Sequence, residues 1–289
     1  MRLRGMAALA SDHEEDSDDV LSDVHLQLAQ RDGVTTLCWE EEQTTKNECV
    51  VVDADGDLEP PRKRSKKAAV ALAHRLATPV ADVGLQVWRG ALLLGDYFFE
   101  HPPVAVKLAE LGAGVGAAGL LAATLGADVL ATDGHAGAVA LAAANGDRNA
   151  AAISRGGGRF AAAVLEWRAY ADADADDDDA LGDASLLVAA DCVYDDVATD
   201  ALFDAVATAL DRRPGRELVL ALEKRFNFEA ESLSVRAHGY RRFAARLGGL
   251  DAERLPLPPR RLAYDRGDEA ALELWRCRRR GERGAPPPD

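Results

Sequence analysis

Cysteine is scarce in this 289-residue chain, and the four present, Cys38, Cys49, Cys192 and Cys277, include no C-x-x-C pair. That spacing offers neither a disulfide framework nor a zinc site, and reduced intracellular conditions fit it best. None of the six histidines belongs to a ligand-spaced pair, so no metal is expected. The apolar runs fall well short of the about 20 residues a membrane span needs, and the apolar part of residues 1–10 is too short for a signal-peptide core. A soluble chain is the expectation. Positive charge is also in short supply: 34 Lys and Arg face 49 Asp and Glu, a formal net charge of −15. That sign argues against holding nucleic acid through its phosphates. It would attract a basic partner such as a lysine-rich protein segment, or serve solubility alone.

What is present divides into three parts: an N-terminal segment 1–76, a domain 77–279 and a tail 280–289. The run "SDHEEDSDDVLSD" (11–23) is acidic, of low complexity and expected to be solvated and mobile. "VHLQLAQRDGVTTLCWE" (24–40) alternates apolar and polar residues around Asp32-Gly33, a hairpin pattern. "PPRKRSKK" (60–67) sets Arg62, Lys63, Arg64, Lys66 and Lys67 together in an acidic chain. That cluster reads as a nuclear-import signal or as a solvated linker. From Val104 onward strand and helix patterns alternate: strands at 104–111, 128–132, 159–165, 184–190 and 217–223, with helices at 116–125, 136–149, 197–210 and 235–247. Two late strand-like segments follow near Leu262–Tyr264 and Leu272–Cys277. The alternation predicts an α/β fold with a doubly wound, mostly parallel sheet, and such sheets bind ligands beyond the strand C-terminal ends.

"ELGAGVGAAG" (110–119) lies at one of those ends and satisfies G-x-G-x-x-G from Gly114 to Gly119. The pattern suits a dinucleotide pyrophosphate at a helix N-terminus. Asp133, twenty-one residues after Gly112, would accept ribose hydroxyls from either a dinucleotide or an adenosyl cofactor. Glu110 discriminates: a carboxylate before the glycines opposes a diphosphate but tolerates the ammonium and sulfonium of S-adenosylmethionine. Its alternative role is to cap backbone amides of its own loop. "VLEWR" (164–168) places Glu166 and Trp167 where an adenine would lie, unless Trp167 is plain core. "AADCVYDD" (189–196) places Asp191 and Tyr194 as D-x-x-Y at the fourth strand end. There a carboxylate can orient a lysine amine and an aromatic ring can wall its channel, unless Tyr194 is simply a packed loop residue. Cys192 reads as filler, having no histidine near it in sequence.

"ELGAGVG", Asp133, "EW" and "DCVY", in this order, resemble the lysine-directed branch of the seven-stranded, S-adenosylmethionine-dependent methyltransferases. "ATPVADVGLQVWRGALLLGDY" (77–97) and "LEKRFNFEAESLSVRAHGYRRF" (222–243) carry the more specific likeness, with "VLSDVH" (20–25) and "LELW" (272–275) in support. The resemblance implies a seven-stranded sheet with an antiparallel last strand, for which Leu272–Cys277 is the candidate. It implies that Trp88 covers the methionine end of the cofactor and that Gly112, Ala113 and Gly114 touch it. Gly116 belongs to the same loop. Asp133 would hold the ribose, Trp167 would neighbour the adenine, and Ala190 would supply a strand-end backbone contact. Asp191 and Tyr194 would carry catalysis by in-line transfer of a methyl group to a neutral lysine amine. The implied partner is a basic, lysine-bearing protein, such as a nuclear nucleic-acid-associated one, with no direct nucleic acid or membrane contact. The enzyme would act as a monomer in nucleus and cytoplasm. Two other readings stay open: a methyltransferase-fold module that binds cofactor and modifies nothing, and a methyltransferase for small molecules or nucleic acid. A nicotinamide dehydrogenase is a further rival.

Overall fold

The structure, a computed structural model, describes residues 20–21, 30–31, 33–41, 51–52, 58–59, 66–174, 179–225, 227–229, 234–236 and 238–281. Most of the acidic run 11–23, Arg62–Ser65 of the basic cluster, 175–178 of the later acidic loop and 282–289 of the tail lie outside them.

Seven strands form the central sheet: β1 (Lys107–Leu111), β2 (Asp128–Asp133), β3 (Arg159–Val164), β4 (Leu186–Ala190), β5 (Glu217–Glu223), β6 (Asp251–Leu255) and β7 (Leu272–Arg278). Their order is β3-β2-β1-β4-β5-β7-β6. The first five run parallel, and β7 enters antiparallel between β5 and β6. The parallel centre explains the near-continuous apolar runs: "LLVAA" and "ELVLALE" are buried on both faces and have no solvent side to mark with polar residues.

Among the described residues seven α-helices accompany the sheet: α1 (Arg89–Glu100), α2 (Ala117–Thr124), α3 (Ala136–Arg148), α4 (Ala150–Gly156), α5 (Trp167–Asp172), α6 (Asp196–Arg212) and α7 (His238–Leu247). One core cluster joins α1 and α2 to the sheet through Leu92, Phe98, Leu120 and Leu121. The other joins α6 and α7 to it through Leu202, Phe203, Val206 and Phe243. The α/β fold and its antiparallel last strand are as the sequence implies.

Two segments differ from expectation. Leu262–Tyr264 is no strand: Asp96, fully buried on α1, accepts the backbone amides of Arg261 and Leu262 with one carboxylate oxygen, which bends the chain there. The sixth strand is instead "DAERL", whose polar residues suit a sheet edge. The expected 235–247 helix begins only at His238, because Ser234–Arg236 pairs as a short strand with Asn227–Glu229.

The boundary expected at residue 77 divides what packing joins. Gln30–Arg31 and Val34–Glu41 pair as a hairpin, with Gly33 at φ +68°, and Lys66–Ala73 pairs antiparallel with Val34–Glu41. Leu37, Trp39, Val70 and Leu72 from these strands belong to the same core cluster as α1 and α2. Two asparagines one turn apart, Asn145 on α3 and Asn149 at its C-cap, satisfy the outer edge of Lys66–Ala73. Asn145 accepts the Ala73 amide at 2.7 Å and donates to its carbonyl, and Asn149 does the same for Ala71 at 2.9 and 2.8 Å. Asn145 also donates to the Val115 carbonyl in the glycine loop at 3.0 Å.

Candidate active site

The C-terminal ends of β1, β2 and β4 open into one cavity of about 390 Å³. Its lining includes Trp88, Glu110, Gly112, Ala113, Gly114, Asp133, Trp167, Ala190, Asp191 and Tyr194. The fold thus gathers at one cleft ten of the residues singled out in the sequence. Gly116 is not among the lining residues. It stands at the N-cap of α2 with φ +80°, where a Cβ would meet Phe160 and Ala142 at 3.1 and 3.2 Å. Its role is to let α2 pack against β3 and α3.

The glycine loop rises from β1 with positive φ at Gly112 (+69°) and Gly114 (+55°). A Cβ on Gly112 would fall 2.6 Å from the Cys192 thiol and 2.9 Å from the Trp167 ring; one on Gly114 would fall 2.5 Å from the Gly84 carbonyl. The glycines therefore serve the protein's own close packing around the cleft, beyond leaving room for a ligand. Asp133 ties the loop to β2, accepting the Gly114 amide at 2.9 Å with one oxygen and the His135 amide at 2.8 Å with the other.

Glu110 lines the cavity yet is only 1 % exposed, and its carboxylate accepts the Gly119 amide of α2 at 2.9 Å. The loop-capping alternative holds for this residue. Burial, reinforced by Asp133, pushes its carboxyl up to about 8 against the pull of the Gly119 hydrogen bond. At neutral pH Glu110 is mostly a protonated acid, so it offers an incoming cation little charge.

Trp167 opens α5, and its indole N–H is buried with no hydrogen-bond partner among the described residues. Its neighbour Glu166 does not line the cleft; it caps α5 by accepting the Ala169 amide at 2.8 Å. Cys192 is a packed residue, as expected: its thiol donates to the Leu111 and Ala190 carbonyls, and burial holds it well above the usual thiol range.

A short 3₁₀ segment, Val80–Leu85, covers the cleft and leads into Trp88. The Trp88 indole donates to the Val83 carbonyl at 2.8 Å, and the Arg225 guanidinium stacks 4.2 Å from the centre of its ring. His135, which caps α3 through Nδ1, places Nε2 3.3 Å from Asp82 in that covering segment. Arg225 lines the cleft but was not singled out in the sequence, where it stands between Lys224 and Phe226 as one more basic residue.

Asp191, at the end of β4, has φ +52°, a conformation few residues other than glycine adopt. One carboxylate oxygen accepts the Gly90 amide of α1 at 2.5 Å and the other the Glu223 amide of β5 at 2.8 Å. Asp191 thus caps a helix whose own N-cap, Trp88, makes no side-chain cap bond. Tyr194 is 47 % exposed at the rim.

A family described as "Lysine methyltransferase" matches residues 72–235. Methyltransferase-like protein 22 of Mus musculus is 32% identical over 231 residues, covering 72% of this chain and 58% of the relative. The protein of the same name from Homo sapiens is 31% identical over 231 residues, with 72% and 57% covered. The chain spans somewhat over half the length of these relatives. Among solved structures, magnesium protoporphyrin IX methyltransferase from Synechocystis PCC 6803 matches 65% of this chain and 81% of its own, at 14% identity and a TM-score of 0.43. On the family match, this chain belongs to the lysine methyltransferase family.

Proposed function

We propose that this protein transfers a methyl group from S-adenosylmethionine to the side-chain amine of a lysine in a protein substrate. The observation that carries the reading is a single cleft lined both by the adenosyl-suited set and by the D-x-x-Y pair Asp191 and Tyr194. Asp133 would hold the ribose, the Trp167 indole, unpartnered among the described residues, would face the adenosyl portion, and Gly112–Gly114 would lie along it. Bound there, S-adenosylmethionine supplies an electrophilic methyl on a sulfonium.

The chain's own part is positioning and exclusion of water, which dominate such a transfer. Entry into a half-buried cleft disfavours the charged form of the amine, which then loses its proton to water. The neutral nitrogen forms its bond to the methyl carbon as the sulfur–carbon bond breaks. Tyr194 walls the approach. Asp191 acts chiefly by fixing the end of β4 against α1 and β5, which sets where the amine arrives.

The test is transfer of radiolabelled methyl from S-adenosylmethionine to nuclear-extract proteins, followed by amino-acid analysis. Methyl-lysine supports the reading, and label in nucleic acid or small metabolites overturns it. Tyr194→Ala should cut transfer at least ~100-fold, about 2.7 kcal/mol in barrier, while cofactor affinity changes far less. Tight cofactor binding with no label above background would favour an interaction module.

The net charge of −15 suits a basic substrate segment, and the Arg62–Lys67 cluster suits entry into the nucleus. A fluorescent fusion with all five basic residues changed to Ala should lose nuclear signal. A distribution like the wild type would overturn the import reading.

A further inference from the structure

Beside the main cleft lies a second, smaller cavity of about 170 Å³. The two share Tyr194 and Arg225, and the smaller one is also lined by Glu223, Lys224 and Tyr240. Among its lining residues the one carboxylate is Glu223, which does not line the main cleft. Resting on the lysine-directed reading above, we infer that the substrate lysine arrives through this side cavity and that the Glu223 carboxylate receives its amine.

The neighbouring charges support this. Asp191, the acid the D-x-x-Y pattern would assign, lines the main cleft but not the side cavity, and its oxygens brace the Gly90 and Glu223 amides. Glu223 has a half-buried side chain, and Arg89 engages one of its oxygens at 2.5 Å, which leaves the other for a new donor. Its backbone amide donates to Asp191, so the two acids form one unit with Arg89 between α1 and β5. Lys224 is held by Glu273 at 2.7 Å and lies 4.8 Å from the centre of the Tyr240 ring. Arg225 is held against Trp88. Each basic side chain of the cavity therefore has its own partner, and the half-exposed Tyr194 ring offers an alkylammonium an aromatic wall. A lysine side chain, slender and ending in N–H donors, fits such a passage better than a nucleobase would.

The probe is n-butylammonium, the head and most of the stem of a lysine, titrated into the full chain saturated with S-adenosylhomocysteine and followed by saturation-transfer NMR. Glu223→Gln should weaken its binding at least ~10-fold, about 1.4 kcal/mol, while calorimetric affinity for S-adenosylhomocysteine stays as in the wild type. Glu223→Asp keeps the charge beside Arg89, so it should fold normally and show an intermediate affinity. Equal binding by the wild type and Glu223→Gln, or no binding by the wild type, overturns the inference. Failure here is separable from failure of the enzymatic reading. Methyl-lysine formed by Glu223→Gln at the wild-type rate and KM removes only the role of Glu223, whereas label on groups other than lysine removes the reading itself.

Discussion

Asp191 and Gly90, 101 residues apart in sequence, meet at 2.5 Å, carboxylate oxygen to backbone amide. The closeness depends on glycine, because a Cβ at position 90 would fall 2.8 Å from the Asp191 carboxyl carbon. Asp191→Asn keeps the shape and tolerates the left-handed backbone, but its amide group would confront one of the two N–H donors. We expect a loss of about 1–3 kcal/mol of stability, read from urea unfolding. An unchanged midpoint would show that the carboxylate faces substrate instead of holding the fold.

Glu110 imposes a pH dependence. Its folded-state acidity lies near 8 against an ordinary value of 4.5, so the native chain holds a proton that the unfolded chain releases. The stability this supplies is complete below pH 4.5 and is lost as pH rises toward 8, at a rate of up to about 1.4 kcal/mol per pH unit. Glu110→Gln, which accepts the Gly119 amide without ionising, should flatten that slope. Urea midpoints for both forms at pH 6, 7 and 8.5 decide it: parallel curves would mean Glu110 titrates normally.

The glycines of the loop should separate by function. Gly114→Ala strains a left-handed backbone and drives its methyl against the Gly84 carbonyl. It should weaken calorimetric binding of S-adenosylmethionine at least ~10-fold, or about 1.4 kcal/mol. Gly116→Ala should cost about 1–2 kcal/mol of stability with little change in affinity. Equal affinity losses in the two would return Gly116 to the binding site.

Asn145→Leu removes three hydrogen bonds, to Ala73 twice and to Val115. Thermal unfolding should show a loss of about 1–3 kcal/mol, with weaker S-adenosylmethionine binding because the glycine loop loses a brace. Stability loss with full affinity would limit Asn145 to holding the N-terminal strands.

Much of the fold is legible in the sequence. The parallel strands announce themselves because burial on both faces leaves apolar runs such as "LLVAA", and Gly112, Asp133 and Trp167, expected near strand ends, do line one cleft. The missed features share one cause: they depend on partners remote in sequence. "DAERL" gives no strand signal because an edge needs no apolar face, and Leu262 read as strand because nothing local betrays Asp96 beneath it. Asp191 was visible as an acid at a strand end, but its engagement by Gly90 and Glu223 exists only once α1 and β5 have packed beside β4.

The asparagines on α3 and at its C-cap also determine how the chain would tolerate cutting. Asn145 and Asn149 grip Lys66–Ala73 through its backbone amides and carbonyls, and Val34–Glu41 is held to that strand by an eight-residue register. None of these bonds depends on covalent continuity between residues 42 and 65. A nick there leaves the brace on the glycine loop intact, and a separately made peptide spanning residues 30–41 should be able to rejoin a chain that starts at 66. The support of the cofactor cleft is in that sense modular, a strand pair accepted by an amide-lined helix.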